Sequence, residues 1–406
     1  MNKKNLVINN HIQSNVLSKK ILKTLLVKYK KILQKTQNNI YNSKKTEYVL
    51  NKNYKFNFNF KDLKNFKKFR TIVLIGMGGS ILGTEAIIEL FRKKIKKDIF
   101  FLNNINIENI KILKKSVKFQ KTLFIVISKS GNTIETLSNF FSLNILKKNS
   151  KNILIISEKK NNLLFSLSKK MNLSYIEHKE NIGGRYSVLS EVGIIPFYLC
   201  GINTTRLRKN LDSSLYGKNS IFLKDSCIKL ANLLIKNKYR NLILINYEPR
   251  LEKFLFWSQQ LIAESLGKKG KGFLPVISNA PKDHHSLLQL YLDGPKDKLF
   301  YVFSPVILKN SNKINSKKFT SGLDFVNKKS LIQIKNSQKK AMIMALKKNK
   351  IPFREFNLKK IQEETLGSLI SYFILETIIV GKLAGINPYD QPAVEQVKKF
   401  TKLILS

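Results

Sequence analysis

The sequence predicts an α/β protein of two doubly wound domains, each built on a parallel central sheet. Two observations carry that prediction. Runs of apolar and β-branched residues alternate with segments patterned at helical spacing, as in βαβ units. Two of those runs pass directly into a loop rich in glycine or hydroxyl residues and then into a helix: TIVLIGMGGSILGTEAIIEL, Thr71 to Leu90, and TLFIVISKSGNTIETLSNF, Thr122 to Phe140. With 406 residues, 43% of them hydrophobic, the chain is long enough for two buried cores, divided here at 1–205 and 206–406.

The elements follow in order. A lysine-rich helix spans roughly 14–46, and a polar segment then leads to strands at 71–75, 122–127 and 152–157. SYIEH, 174–178, adds a further strand before the loop NIGGRYS, and Asp98, following a lysine cluster, reads as a solvated loop acid. A second series opens after Gly201. Strand NLILINY, 241–247, precedes a helix from Pro249 to about Leu266, with proline early and Gly267 late. Strands near 298–304 and 351–356 follow, then a long apolar helix (about 362–384), the turn GINPYDQP and a final helix (about 393–404).

Composition excludes several functions. Lysine and arginine number 74 against 26 acids, a formal charge of +48, which by itself suggests a nucleic-acid partner. The lysines are scattered over nearly every helix and loop and outnumber the arginines, without a basic tract interleaved with aromatics, so specific nucleic-acid binding is not the primary role. No apolar run reaches the roughly 18 residues of a membrane span, and the first residues lack a secretory h-region. A cytoplasmic protein is expected. Cys200 and Cys227 have neither metal-ligand nor redox spacing and are expected to be reduced core thiols.

In a parallel sheet, loops at the carboxyl ends of strands face the ligand crevice. Glycine lets the backbone approach a ligand, and the unpaired N–H groups of a helix's first turn favour an anion. Ser128, Lys129, Ser130 and Thr133 place three hydroxyls and a cation within six residues, matching the acceptor oxygens of a phosphate. Neither the P-loop pattern nor the dinucleotide fingerprint is met, because Ile81 stands where the latter requires glycine. Tight turns and helix caps would explain each loop alone. Their occurrence at matching positions points to the terminal phosphate of a small metabolite.

Four further segments carry chemistry, each with a plainer structural explanation. In NIGGRYSVLSEVG, paired glycines precede Arg185, whose guanidinium can reach an oxyanion or form a surface ion pair. In WSQQLIAESLGKKG, Glu264 lies among Leu261, Ile262 and Leu266 near a helix C-terminus. Desolvation and the helix dipole would there raise the pKa of a base, although an isolated glutamate more often lies on a helix surface. In PKDHHSLLQLYLDG, His284 and His285 diverge by about 100°, so at most one faces a site, and no H-x-x-x-H or cysteine suggests a metal. In NPYDQPAVEQVKKF, Glu395 and Lys398 share a helix face at i,i+3, the spacing of an ion pair.

Together, GMGGSILG, SKSGNTIET, GGRYSVLS, AESLGK, DHHSL and NPYDQPAVEQVKK, in this order over roughly residues 70 to 400, closely resemble the glucose-6-phosphate isomerase family. The resemblance implies two sugar-isomerase-type αβα sandwiches that interconvert glucose 6-phosphate and fructose 6-phosphate with no metal or organic cofactor. It implies that Ser80, Ser128, Lys129, Ser130 and Thr133 surround the phosphate, and that Gly79, Gly184, Gln260 and Gln391 line the sugar site. Glu264 matches the family's proton-transfer glutamate, Arg185 the cation beside the cis-enediol, His285 the ring-opening histidine and Lys398 the C-terminal lysine. The doubled histidine makes the choice of His285 depend on the register of HSL. The resemblance also implies a homodimer with shared active sites. The alternatives are another phosphosugar aldose–ketose isomerase or a non-catalytic phosphosugar sensor.

Overall fold

A computed structural model describes residues 2–3, 5–13, 17–304, 312–315, 322 and 324–406. The chain begins with strands β1 (Asn2–Lys3) and β2 (Leu6–Asn10) and the helix Lys19–Ile40, shorter at both ends than its sequence suggests. Residues 14–16 of the expected helix lie outside the described residues. The first half contributes β3 (Thr71–Gly76), β4 (Asp98–Leu102), β5 (Thr122–Ile127), β6 (Ile153–Ser157) and β7 (Ser174–Glu177). The second contributes β8 (Asn241–Asn246), β9 (Leu274–Asn279), β10 (Lys298–Phe303) and β11 (Phe353–Leu358).

Strands β4-β3-β5-β6-β7 form a wholly parallel sheet in that order. In the other sheet, β1-β2-β11-β10-β8-β9, strands β11, β10, β8 and β9 are parallel, and β2 joins the edge antiparallel to β11. The extreme N-terminus thus completes the second sheet, although the sequence division places it with the first half. Asp98 opens β4 rather than lying in a loop, and its exposed carboxylate faces Arg70 at 3.4 Å.

Both sheets are buried on two faces, which is why the strands read as unbroken apolar runs. Ile72 and Leu74 point into one cluster while Val73 and Ile75 point into another. Ile243 and Ile245 alternate in the same way with Leu242 and Leu244. The first of these clusters is continuous from Leu74 and Ile125 through Ile87, Leu255 and Phe373 to Leu244 and Tyr301, so the two halves share a core. Helix Leu82–Phe91 packs on helix Glu252–Leu266 within it.

Helix Glu363–Leu383 has Glu363 and Glu364 in its first turn and Lys382 in its last, both favourable to the helix dipole. Its length and mean hydropathy of 1.6 would suit a membrane span, contrary to the sequence expectation. Burial accounts for the composition: 94% of the apolar window lies inside the protein, where the helix is the spine of the shared core. Cys200 and Cys227 are both free thiols and both buried.

Candidate active site

The chain reverses its direction of strand addition between β3 and β5, because β4 is laid on one side of β3 and β5 on the other. Crevices form at such switch points, beyond the carboxyl ends of the strands. Gly76 pairs in register with Ile127, so the loops Met77–Ser80 and Ser128–Thr133 leave the sheet side by side. Ser80 and Ser128 are buried, and Ser128 Oγ lies 2.9 Å from Thr133 Oγ1. Thr133 precedes helix Ile134–Ser142 without capping it through its side chain, and Ser130 stands exposed beside it. Gly131 adopts φ +65°, and a Cβ there would sit 1.8 Å from Asn162 Oδ1, so this bend needs glycine for two separate reasons. The Lys129 ammonium turns away, to the Glu180 carbonyl at 2.8 Å and the Glu158 carboxylate at 3.5 Å. Desolvation lowers its pKa below that of an ordinary lysine.

Gly79 brings a second segment to these loops. A Cβ on it would meet the carbonyl carbon of Gly184 at 2.1 Å, so only glycine lets the peptide before Arg185 lie against the first loop. Arg185 is 1% exposed. A buried cation is costly unless every donor is used, and here each nitrogen has an acceptor. Nε donates to Ser265 Oγ at 2.8 Å, and Nη2 donates to the carbonyls of Pro388 (2.7 Å) and Asp390 (3.1 Å). Nη1 donates to Glu264 Oε2 at 3.1 Å and to Gln391 Oε1.

Glu264 sits in the last turn of helix Glu252–Leu266, which ends at Gly267. Its other oxygen accepts from Gln260 Nε2 at 2.9 Å, one helical turn earlier. Gln260 lies 2.9 Å from the place a Cβ on Gly78 would occupy, which ties this helix face to the first loop. Gln260 Oε1 is buried and has no hydrogen-bond partner among the described residues, leaving an acceptor for a ligand hydroxyl. On the far side of Glu264 a cavity of about 670 Å³ opens between Lys268, Lys271, Asn387 and Gln391.

The structure therefore gathers Gly79, Ser80, Ser128, Ser130, Thr133, Gly184, Arg185, Gln260, Glu264 and Gln391 around adjoining loops and helix ends. His285 and Lys398 stand apart. The two histidines diverge as their adjacency requires: His284 Nε2 lies 2.7 Å from Tyr247 OH, with its pKa lowered by desolvation and then by His285. His285 is exposed, and its imidazole has no hydrogen-bond or ion-pair partner among the described residues. Lys398 pairs with Glu395 at 2.8 Å on the exposed helix Val394–Leu405.

Besides Glu264 and Gln391, Arg185 is held by residues that sequence reading misses. Ser265 accepts from its Nε and lies 2.9 Å from Tyr186 OH, which donates to the Pro388 carbonyl at 2.8 Å. Trp257 Nε1 donates to the Arg185 carbonyl at 3.2 Å. Ser265 and Tyr186 are direct neighbours of Glu264 and Arg185, and adjacency is the only signal the chain offers for them.

The sequence profile of the phosphoglucose isomerase family matches residues 59–406. The chain belongs to that family. Among individual phosphoglucose isomerase relatives, a probable glucose-6-phosphate isomerase of Methanococcus maripaludis is 36% identical over 349 residues, 82% of this chain and 78% of that protein. The glucose-6-phosphate isomerase of Methanocaldococcus jannaschii is 32% identical over 352 residues, covering 84% and 86%. The fold matches a hypothetical protein from Thermus thermophilus with a TM-score of 0.80 at 23% identity, covering 99% of this chain and 100% of that one. It also matches a glucose-6-phosphate isomerase from Chlamydia trachomatis at 0.70 and 19% identity, covering 85% and 72%.

Proposed function

We infer that this chain interconverts glucose 6-phosphate and fructose 6-phosphate, and that it does so with its own side-chain and backbone groups, without a metal or organic cofactor. The observation that carries the mechanism is the contact of Arg185 with Glu264 at 3.1 Å, beside two hydroxyl-bearing loops at the switch point of a parallel sheet. A proton on carbon next to a carbonyl is weakly acidic, so its removal requires a positioned base and a positive charge where the oxyanion forms. Glu264 takes the proton from one of C1 and C2 and returns it to the other through a cis-enediol, while Arg185 offsets the charge on oxygen. Ser80, Ser128, Ser130 and Thr133, with the first N–H groups of helix Ile134–Ser142, hold the phosphate. Binding energy at that remote end positions the reacting carbons. Lys129 serves there through its backbone N–H, since its ammonium is engaged by Glu158. Gly79, Gly184, Gln260 and Gln391 line the sugar.

Ring opening comes first, because the cyclic sugar has no carbonyl, and imidazole can exchange protons with the ring oxygen and the anomeric hydroxyl near neutrality. We assign this step to His285 contributed by a second copy of the chain. Its exposure and its lack of a partner among the described residues support that arrangement, as does the open cavity beside Glu264. We also place the protein in the cytoplasm, and take residues 1–205 and 206–406 as its two domains, with β2 crossing from the first to the second. Lys398, which stands apart in the single chain and pairs there with Glu395, is proposed to reach the sugar end of the site only on leaving that pair. A coupled assay with fructose 6-phosphate tests the whole reading. Wild type turns over, and Glu264→Gln, which keeps the size but loses the base, falls by about 10²–10⁴-fold in kcat. Comparable activity in the two proteins overturns the assignment of Glu264.

A further inference from the structure

We propose that Glu47, a residue outside the matched family region, is a positioning residue for Arg185 and acts through the hydroxyl of Tyr389. The proposal rests on the assignment of Arg185 and Glu264 given above. Most of the guanidinium hydrogen bonds end on one turn: on the carbonyls of Pro388 and Asp390 and on the side chain of Gln391. Whatever fixes that turn fixes the cation. Tyr389, between the two carbonyls, points its hydroxyl away from the site and donates to Glu47 Oε1 at 2.6 Å. The same oxygen accepts from Lys382 Nζ at 2.9 Å, in the last turn of helix Glu363–Leu383, and from Asn39 Nδ2 at 2.9 Å, near the end of helix Lys19–Ile40.

Glu47 is 1% exposed. A carboxylate taken out of water carries a desolvation cost of several kcal/mol, which its partners must offset. If the position served only to fill space, an apolar side chain would do so without that cost. What an acid supplies here is direction, because it ties a helix from each half of the chain to the turn beneath Arg185. Lys268 braces the turn from outside, through the Asn387 carbonyl at 2.6 Å and the half-exposed Asp390 carboxylate at 2.8 Å. That brace is more weakly specified, since its charged partner Asp390 is half-exposed to solvent and the flexible lysine side chain adapts to a displaced partner. The ring of Tyr389 also packs on that of Tyr186, with centroids 6.1 Å apart, so a shift of the turn reaches the residue next to Arg185.

The clean variant is Tyr389→Phe, which removes one hydroxyl and leaves the ring and the Glu47–Lys382 pair in place. Its kcat for fructose 6-phosphate is expected to fall about ten- to a hundredfold, the penalty of a misplaced catalytic group, with KM and melting temperature close to wild type. Glu47→Gln should lower kcat in the same sense, and the double variant should be no worse than the worse single one, because both act along one path. A wild-type kcat in Tyr389→Phe overturns the proposal, and so does a fall in kcat that only tracks lost stability. Hydrogen exchange across residues 386–391 reads the brace without substrate. Faster exchange in Tyr389→Phe than in wild type supports the proposal, and identical exchange overturns it. The wild type's own turnover of fructose 6-phosphate separately judges the functional assignment on which the proposal rests.

Discussion

At the scale of single residues, Arg185 shows how a buried charge is made useful. Each of its nitrogens is engaged, yet two of the acceptors, Glu264 and Gln391, belong to the proposed sugar site, so the cation faces the place where negative charge develops. Arg185→Ala is expected to lower kcat by at least about a hundredfold with a smaller effect on KM, measurable in steady-state kinetics, because its charge matters most in the transition state. Ser128→Ala should act the other way. Loss of one hydrogen bond to an anion costs about 1.5–3 kcal/mol and should raise KM at least about tenfold while kcat changes little. Gly79→Ala places a methyl group 2.1 Å from a carbonyl carbon and must push the Arg185 segment off the first loop, so activity should be lost while circular dichroism is retained. Glu264, Arg185 and the serine loops were legible because residue type and local motif reveal them. Ser265, Tyr186 and Glu47 were not, because their partners lie far away in the chain and a lone serine, tyrosine or acid carries no local pattern.

At the scale of elements, the strands legible in the sequence are mostly those buried on both faces, where sidedness leaves no polar alternation to obscure the run. The strands missed were short or lay at edges. β2 enters as LVINN, β4 follows lysines, and β9 begins at an exposed Leu274 and contains Pro275, features that suit the margins of a sheet better than its centre. What binds the elements together was equally silent. Arg354 on β11 is fully buried and pairs with Glu376 of helix Glu363–Leu383 at 2.8 Å, with Tyr301 OH accepting from the same guanidinium at 2.9 Å. Glu376→Gln leaves that cation without its counter-charge and should cost about 3–5 kcal/mol in denaturant unfolding. Glu47 makes a pH-dependent contribution. Burial alone would push its carboxyl up, but Lys382 and the hydrogen bonds from Tyr389 and Asn39 outweigh it, and the net shift is downward from the ordinary 4.5. A carboxyl depressed in the folded state stabilises above its unfolded pKa and loses that contribution as pH falls through the folded value. The gap in melting temperature between wild type and Glu47→Gln should therefore be full at neutral pH and close on acidification below the ordinary glutamate range.

At the scale of the whole molecule, the net charge of +48 and the C-terminal helix remain to be accounted for. Helix Val394–Leu405 carries Val397, Phe400, Leu403 and Ile404 largely exposed on the single chain. A second copy, which the assignment of His285 requires, is the partner we expect to cover part of the surface around the site. His285→Ala mixed with Glu264→Gln then offers a complementation test: heterodimers regain one intact site and activity, whereas a site built within one chain regains none. The charge should make association with an anionic sugar phosphate faster at low ionic strength. The central claim is that one glutamate moves hydrogen between neighbouring carbons of a sugar held by its phosphate, and isotope exchange tests this most directly. Fructose 6-phosphate turned over in heavy water should yield glucose 6-phosphate labelled at C2 with wild type, at a rate that collapses in Glu264→Gln. Labelling by Glu264→Gln at the wild-type rate would contradict the account.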